Sequence, residues 1–136
     1  MFGVIMTDLA AEFDELLIDQ AGLTAVDIVT LRKVSVTLFT FPGHPGDPSG
    51  GKEYNVQFNK IIDYKLELTS FSSVMCIVQS HTAFRDSEFL SACRNREKDF
   101  TRAVSWEKLC HFQIVLDKGQ LDVIAEDFTC SVLWEI

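Results

Sequence analysis

The C-terminal third of the chain contains the arrangement best suited to catalysis, a histidine near several carboxylates. His111 lies in an alternating apolar segment, and a two-residue hairpin turn at Lys118-Gly119 would place it opposite Glu126 on the exposed face. An imidazole beside a carboxylate can act as a general base, so His111 and Glu126 are the candidate catalytic residues of a small hydrolase or isomerase. A cross-strand ion pair without a catalytic role is the alternative for the same two residues.

Two other patterns resemble known sites but lack parts that the chemistry requires. Gly46–Lys52 fits G-x-x-x-x-G-K, yet Glu53 follows where a phosphate-binding loop needs Ser or Thr, and Pro48 removes a backbone donor. His44, in a loop, and His81, in a predicted turn, have no partner at metal-ligand spacing. We therefore predict no cofactor, no metal and no nucleotide site.

The cysteines and the hydropathy pattern indicate the compartment. The four cysteines contain no C-x-x-C pair and lie among apolar neighbours, which is typical of buried free thiols in a reducing environment. The N-terminus lacks the basic region of a leader peptide, and no segment approaches the length of a transmembrane helix. These features predict a cytoplasmic protein.

Charge limits the partners that the chain can bind. Its 136 residues include 12 Lys and Arg against 20 Asp and Glu, a net charge of −8. Such a surface repels nucleic acid and anionic membranes and favours a basic protein partner. The first 31 residues contain no Lys or Arg at all. The N-terminal segment is therefore where we expect a basic partner to bind.

A helix is predicted over residues 7–20. Apolar residues recur at helical spacing, and Gly22 stands where a left-handed cap is preferred. The opposite face is acidic and provides the predicted partner-binding residues Asp8, Glu12, Glu15 and Asp19. A solvated face without a partner is the alternative, and the binding hypothesis requires that these acids are not already paired with the protein's own Lys and Arg. A deep cavity lined by converging ionisable groups would also count against it.

The rest of the chain predicts an antiparallel sheet. The predicted elements are a strand over 26–41, an exposed loop over 42–51, alternating strands over 54–68 with a bend at 60–61, a strand over 74–78, a helix over 86–94, the C-terminal hairpin and a last strand over 128–136. We therefore expect residues 1–136 to form a single α+β domain. Its sheet should have about five to seven strands, with the N-terminal helix packed on one face.

The predicted hairpin also carries a family resemblance. The segment from His111 through Leu116, Gly119 and Leu121 to Glu126 resembles the closing hairpin of small uncharacterised bacterial β-rich proteins. These include toxin-associated immunity proteins, and the strands over 56–68 are similar in style to their middle strands. The resemblance implies a cytoplasmic, non-catalytic protein that binds a protein partner.

Three functions follow as hypotheses. The first is a non-enzymatic protein-binding domain, in particular an immunity protein that neutralises a basic toxin, with the loop at 42–51 as a second contact. The second is the hydrolase or isomerase that uses His111 with Glu126 or a nearby acid, and it predicts a pocket at the hairpin face with His111 partly buried beside a carboxylate. The third is a self-associating subunit, a homo-oligomer joined through the edge of the last strand.

Overall fold

The computed structural model describes residues 9–30, 32–44, 49–68, 76–97 and 107–135. The helices are α1 (Leu9–Asp14) and α2 (Glu88–Glu97), and the strands are β1 (Gly22–Thr30), β2 (Lys33–Phe39), β3 (Lys52–Asn59), β4 (Asp63–Leu68), β5 (Cys76–Phe84), β6 (Cys110–Leu116), β7 (Gly119–Ala125) and β8 (Asp127–Glu135). The α+β class and the antiparallel sheet are confirmed. The eight strands in this part of the chain exceed the predicted number, because the segment predicted as one strand over 26–41 lies in the hairpin β1–β2.

The strands form one antiparallel sheet in the order β4-β7-β6-β5-β1-β2-β3-β8. Among the described residues, two pairs join β1 to β5, Gly22 with Ile77 and Leu23 with Cys76. The two halves on either side of this junction face each other, since the rings of Phe58 on β3 and Phe112 on β6 are 5.2 Å apart. The sheet therefore curves around a core.

Helix α1 fills the inside of this curve with one aromatic side chain. Phe13 is fully buried, and its ring lies 5.0 Å from Phe112, 6.0 Å from Phe58 and 5.3 Å from Phe128. Aromatic rings at these separations pack edge to face and stabilise a core beyond the area that they bury. The short helix is thus anchored to both halves of the sheet.

A second apolar cluster covers the other face of β6 and β7. It contains Leu90 and Cys93 of α2, Leu109 before β6 and Ile124 of β7, all nearly inaccessible to solvent. Because alternate residues of a strand point to opposite faces, the residues of β6 and β7 on this side are buried under α2. The prediction that this face of the hairpin is exposed is therefore wrong.

The N-terminal helix is much shorter than predicted. Residues 1–8 lie outside the described part of the chain, and α1 ends at Asp14 instead of continuing to residue 20. Asp14 accepts a hydrogen bond from the backbone N–H of Ala83 on β5, and Gln20 N–H bonds to the carbonyl of Val78. The N–H groups of Glu15 and Leu16 still bond to the carbonyls of Ala11 and Phe13, whereas Gln20 N–H bonds to β5 instead of to a helical carbonyl.

The predicted glycine cap of that helix is also wrong. Gly22 is buried and begins β1, where it pairs with Phe39 and Ile77. The left-handed conformation belongs instead to Gln20, whose φ is 73°. The chain turns at this residue to enter the strand.

The C-terminal hairpin has the predicted faces but a shifted register. Leu116 pairs with Gly119, so the turn residues are Asp117 and Lys118 and every cross-strand pair is displaced by two positions. A shift of two preserves the alternation of faces, which is why the apolar pattern alone did not detect it. Gly119 is required for close approach, since a Cβ there would lie 2.0 Å from the carbonyl oxygen of Glu67 on β4.

The bend at residues 60–61 is confirmed, and it separates strands that are far apart in the sheet. Lys60 has a φ of 52°, β3 pairs with β2 and β8, and β4 pairs with β7 at the opposite end. Because β4 is a terminal strand, its apolar residues Tyr64 and Leu66 are 42% and 38% exposed, against the prediction of a buried face. No helix in the described ranges is long and apolar enough to cross a membrane.

Candidate functional site

The structure contains two pairs of a histidine and an aspartate, and the first is on the C-terminal hairpin. His111 Nε2 lies 2.6 Å from Asp122 Oδ1, and its Nδ1 lies 2.8 Å from the hydroxyl of Ser87. Asp122 also accepts hydrogen bonds from the side-chain amides of Gln113 and Gln120. Both the His111 and the Asp122 side chains are more than nine-tenths buried.

This arrangement corrects the predicted catalytic pair. The register places His111 opposite Ile124, and its carboxylate partner is Asp122 instead of Glu126. The two ring nitrogens of His111 contact Ser87 and Asp122, and the side chains of His111 and Asp122 lie more than nine-tenths buried. The Ser87–His111–Asp122 chain is therefore a satisfied polar network beneath α2.

The second pair joins the end of the N-terminal segment to β5. Nδ1 of His81 lies 2.6 Å from Asp19 Oδ1, and the ring of His81 packs edge-on against Phe13 at 5.4 Å. The His81 side chain is 4% exposed, whereas that of Asp19 is 49% exposed. His81 Nε2 is buried and has no hydrogen-bond partner among the described residues. One polar atom of this pair is thus buried without a hydrogen bond in the described part of the chain.

His81 lines a cavity of about 240 Å³ together with several residues distant in sequence. The other lining residues are Asp14, Leu16, Leu17, Asp19 and His44. His81 lies within β5, in contrast to the predicted turn, and His44 is 4% exposed, in contrast to a fully exposed loop. The sequence gives no sign of this grouping because the residues come from three separate segments.

The cavity can accept hydrogen bonds more readily than it can donate them. An ionised aspartate accepts only, so Nδ1 of His81 donates its N–H to Asp19. No Ser, Thr or Cys side chain lines the cavity. Within the described ranges, no group of three or more His, Cys, Asp and Glu side chains is arranged to hold a metal ion.

The four predicted partner-binding acids differ in where the structure places them. Asp8 lies outside the described residues, while Glu12 lies on α1 and Glu15 is exposed just after it. Asp19 belongs to the turn that precedes β1 and contacts His81. The four acids therefore do not form one helical stripe, although three of them stay close together in the segment 12–19.

These acids are not neutralised by the protein's own cations. No lysine or arginine in the described part of the chain forms an ion pair with Glu12, Asp14, Glu15 or Asp19. The requirement set by the binding hypothesis is thus met for the described acids. The cavity beside Asp19 does bring ionisable groups together, but its volume lies below the roughly 300–1,000 Å³ that is usual for pockets enclosing a small-molecule ligand.

Segment 12–19, which we call the ridge, passes between two cavities. Leu17 at its centre is 62% exposed. The second cavity, of about 250 Å³, lies on the other side of Leu16 and Leu17 and is also lined by Glu15, Ile18, Tyr54 and Cys130. Partial desolvation raises the pKa of the Cys130 thiol although the residue is exposed, so the thiol stays protonated near neutral pH and is a weak nucleophile.

The loop over 42–51 was the second predicted contact. Pro42 and Gly43 are exposed, His44 is buried, and residues 45–48 lie outside the described part. The four cysteines have no disulfide, and Cys130 is exposed against the prediction of a buried thiol.

Comparison of the chain with protein-family models, curated proteins and solved structures finds no significant match.

Proposed function

We propose that this chain is a non-enzymatic protein-binding domain whose partner is a basic protein. The observation that carries the proposal is the ridge of residues 12–19. There an exposed leucine, Leu17, lies among the carboxylates of Glu12, Asp14, Glu15 and Asp19, none of which is paired with a lysine or arginine of the described chain. The resemblance of the hairpin to toxin-associated immunity proteins suggests the kind of partner, a basic toxin.

The composition of this ridge suits a protein interface. An aliphatic side chain that projects into solvent gains free energy when a partner covers it, at about 25 cal/mol for each Å² removed from water. The carboxylates, which have no lysine or arginine partner in the described chain, steer a basic partner towards the ridge and raise the rate of association, most strongly at low ionic strength. Leu17 therefore serves as the anchor and the acids serve as the source of attraction.

The experiment measures association with the product of the reading frame beside this chain's gene. Stopped-flow association rates are measured over a range of salt concentrations for the chain and for the variant Glu12→Lys/Glu15→Lys. A matched control, Glu67→Lys/Glu107→Lys, changes the net charge equally at two exposed residues outside the ridge. The ridge variant should associate about tenfold more slowly at low salt and with a flatter salt dependence.

Two results contradict the proposal. Equal effects of the ridge and control variants would show that only net charge matters. If the neighbouring protein is acidic, or if it does not bind this chain, the proposal of a basic protein partner is wrong.

Self-association through β8 is a second candidate function, favoured by the position of that strand. β8 is terminal in the sheet, and Val132 and Leu133, which point to opposite faces of the strand, are both 53% exposed. Exposed terminal strands pair readily with other strands. Light scattering coupled to size-exclusion chromatography separates the two functions, because a monomer at micromolar concentration contradicts self-association.

A further inference from the structure

We infer that β8 binds an extended segment of the basic partner as an additional strand, and that the cavity between β8 and the ridge receives one apolar side chain of that segment. This inference rests on the protein-binding function proposed above and states how the partner is held. It depends on three observations, which are the terminal position of β8, the place of the cavity beside it and the charge around both.

The terminal strand β8 has an edge that can accept another strand. Among the described residues it pairs with β3 alone, and the five consecutive residues 129–133 are all exposed. A strand with one unpaired edge presents a row of backbone N–H and C=O groups that another extended segment can bind. These groups select a strand in preference to a helix or a small molecule.

The two terminal strands of the sheet differ in how well they are protected against such pairing. β4 carries the exposed charges of Lys65 and Glu67, which lie 3.2 Å apart as an ion pair. β8 has no charged residue, proline or glycine between Asp127 and Glu135. Charges and prolines are the usual means by which proteins prevent unwanted pairing at an edge, so β8 is the edge suited to a partner.

The cavity of about 250 Å³ lies on one face of this edge. Cys130 of β8 lines it together with Tyr54 of β3 and residues 15–18 of the ridge. Alternate residues of a strand share a face, so Val132 is on the same side as Cys130. A strand added to β8 places every second side chain on this side, next to Cys130 and the ridge.

The walls of the cavity suit an aliphatic or aromatic side chain. Leu16, Leu17, Ile18 and Tyr54 provide most of the lining. The volume lies below the usual range of pockets that enclose drug-sized ligands, which favours a single side chain over a larger molecule. Leu17 is 62% exposed, so a side chain that enters the cavity also covers part of this leucine.

Charge favours a basic segment over a second copy of the chain. Glu15 lines the cavity, no lysine or arginine does, and none pairs with Glu15 in the described chain. A basic residue beside the apolar one would therefore meet an opposite charge. If two copies of β8 paired antiparallel along their full length, Asp127 of each would lie opposite Glu135 of the other, and like charges opposite each other are unfavourable.

The test uses a capped basic heptapeptide, KVKLKVK, as the probe, and amide hydrogen exchange of the full chain followed by NMR as the measurement. Alternate amides within residues 129–133, those not bonded to β3, should exchange more slowly as the peptide saturates the chain. The acidic peptide EVELEVE should give no protection, and the peptide KKVLVKK, with the same composition but without alternation, should bind about fivefold or more weakly.

Three results of this experiment would overturn the inference. The first is the absence of protection in β8 with KVKLKVK. The second is equal binding of the acidic or the non-alternating peptide. The third is protection of β8 that is present without peptide and increases with the concentration of the chain, which would assign the edge to a second copy.

A matched pair of leucine variants tests the cavity. Leu17→Ala removes part of the cavity wall and should weaken binding of KVKLKVK by about fivefold or more. Leu66→Ala makes the same change at an exposed leucine of the other terminal strand and should leave the affinity unchanged. Equal affinities of the two variants would contradict a role of the cavity, and thermal unfolding verifies that both are folded.

A matched pair of glutamate variants tests the charge. Glu15→Gln should weaken the binding of KVKLKVK and flatten its dependence on salt concentration, because the carboxylate beside the cavity is lost. Glu67→Gln removes an exposed carboxylate from β4 and should have a smaller effect on both quantities. The same change in both variants would show that net charge alone attracts the peptide.

The inference and the proposed function fail separately. Slower association of Glu12→Lys/Glu15→Lys with the partner, without protection of β8 by KVKLKVK, refutes only the strand addition. Protection of β8 by the peptide, together with unchanged association of that variant, refutes the acidic ridge as the surface that attracts the partner.

Discussion

The two histidine–aspartate pairs of this protein have similar geometry and opposite surroundings. In each pair a ring nitrogen lies 2.6 Å from a carboxylate oxygen. The second nitrogen of His111 contacts Ser87, and Asp122 is buried with it, whereas the second nitrogen of His81 has no partner in the described part of the chain and Asp19 is half exposed. The first pair is therefore fully hydrogen-bonded, and the second keeps one buried nitrogen without a partner in the described residues.

The difference shows that the short distance between imidazole and carboxylate does not by itself indicate function. A buried network in which every donor and acceptor is paired rigidifies a core, while an unpaired buried polar atom is costly, at about 1–3 kcal/mol. An unpaired buried atom beside a cavity therefore gives more information about function than a fully paired network does. The largest contrast between the pairs should appear when each carboxylate is removed.

Asp122→Ala should have the largest effect on stability. It leaves His111 Nε2 and the amides of Gln113 and Gln120 without their acceptor inside the protein, and we expect the free energy of unfolding to fall by about 3 kcal/mol or more. Asp19→Ala should cost less than about 1 kcal/mol, because Asp19 is half exposed and its contact is partly solvated. Urea denaturation measures both, and equal losses would contradict the contrast.

His111→Leu and His81→Leu should separate the two rings in the same way. Leucine at position 111 leaves the buried carboxylate of Asp122 without its imidazole partner, and we expect a loss of about 2 kcal/mol. Leucine at position 81 removes an unpaired buried nitrogen and packs against Phe13, so the change should stay within about 0.5 kcal/mol. Thermal unfolding gives both values, and a larger loss at position 81 would reverse our assignment.

Gly119→Ala tests whether the strand that carries Asp122 is held in its observed register. The added Cβ would meet the carbonyl of Glu67 at 2.0 Å, so β4 and β7 must move apart, at a cost of about 1–2 kcal/mol. The contact between His81 on β5 and Asp19 should be unaffected. Chemical denaturation together with the NMR resonances of both histidines measures this, and an unchanged stability would show that the strands are not so close.

Ser87→Ala should have the smallest effect of the set. Ser87 contacts His111 Nδ1 and accepts the N–H of Leu90 at the start of α2, so its removal should cost about 1 kcal/mol. Ser91→Ala, one turn later on an exposed position, is the matched control and should change stability by less. If Ser87→Ala were neutral, the network beneath α2 would contribute less than we infer.

Local sequence patterns predicted much of the framework. The alternation of β6 and β7 and the bend near Lys60 were predicted correctly, since both depend on neighbouring residues. The hairpin register was missed because a shift of two preserves the faces. The length of α1 was missed because Asp14 and Gln20 bond to β5, more than 50 residues away, and the sequence around them does not show that strand's position.

The candidate site was predicted only in part. Glu12, Glu15 and Asp19 were identified from charge and spacing, and they do lie in one short segment. The contact between Asp19 and His81 joins residues 62 positions apart, and His44 comes from a third segment. The spacing of residues along the sequence does not reveal such contacts when no motif connects them.

The sequence alone determined the acidity of the N-terminal segment, the faces of the strands and the antiparallel α+β class. These properties follow from residue type and from periodicities of a few residues. Only the tertiary structure decided which imidazole is fully hydrogen-bonded and which lines a cavity, because the curvature of the sheet and the position of α2 bring those groups together. Burial and hydrogen bonding depend on packing between distant segments, and they distinguish two chemically similar pairs, one with both ring nitrogens bonded and one with a ring nitrogen left unbonded in the described residues.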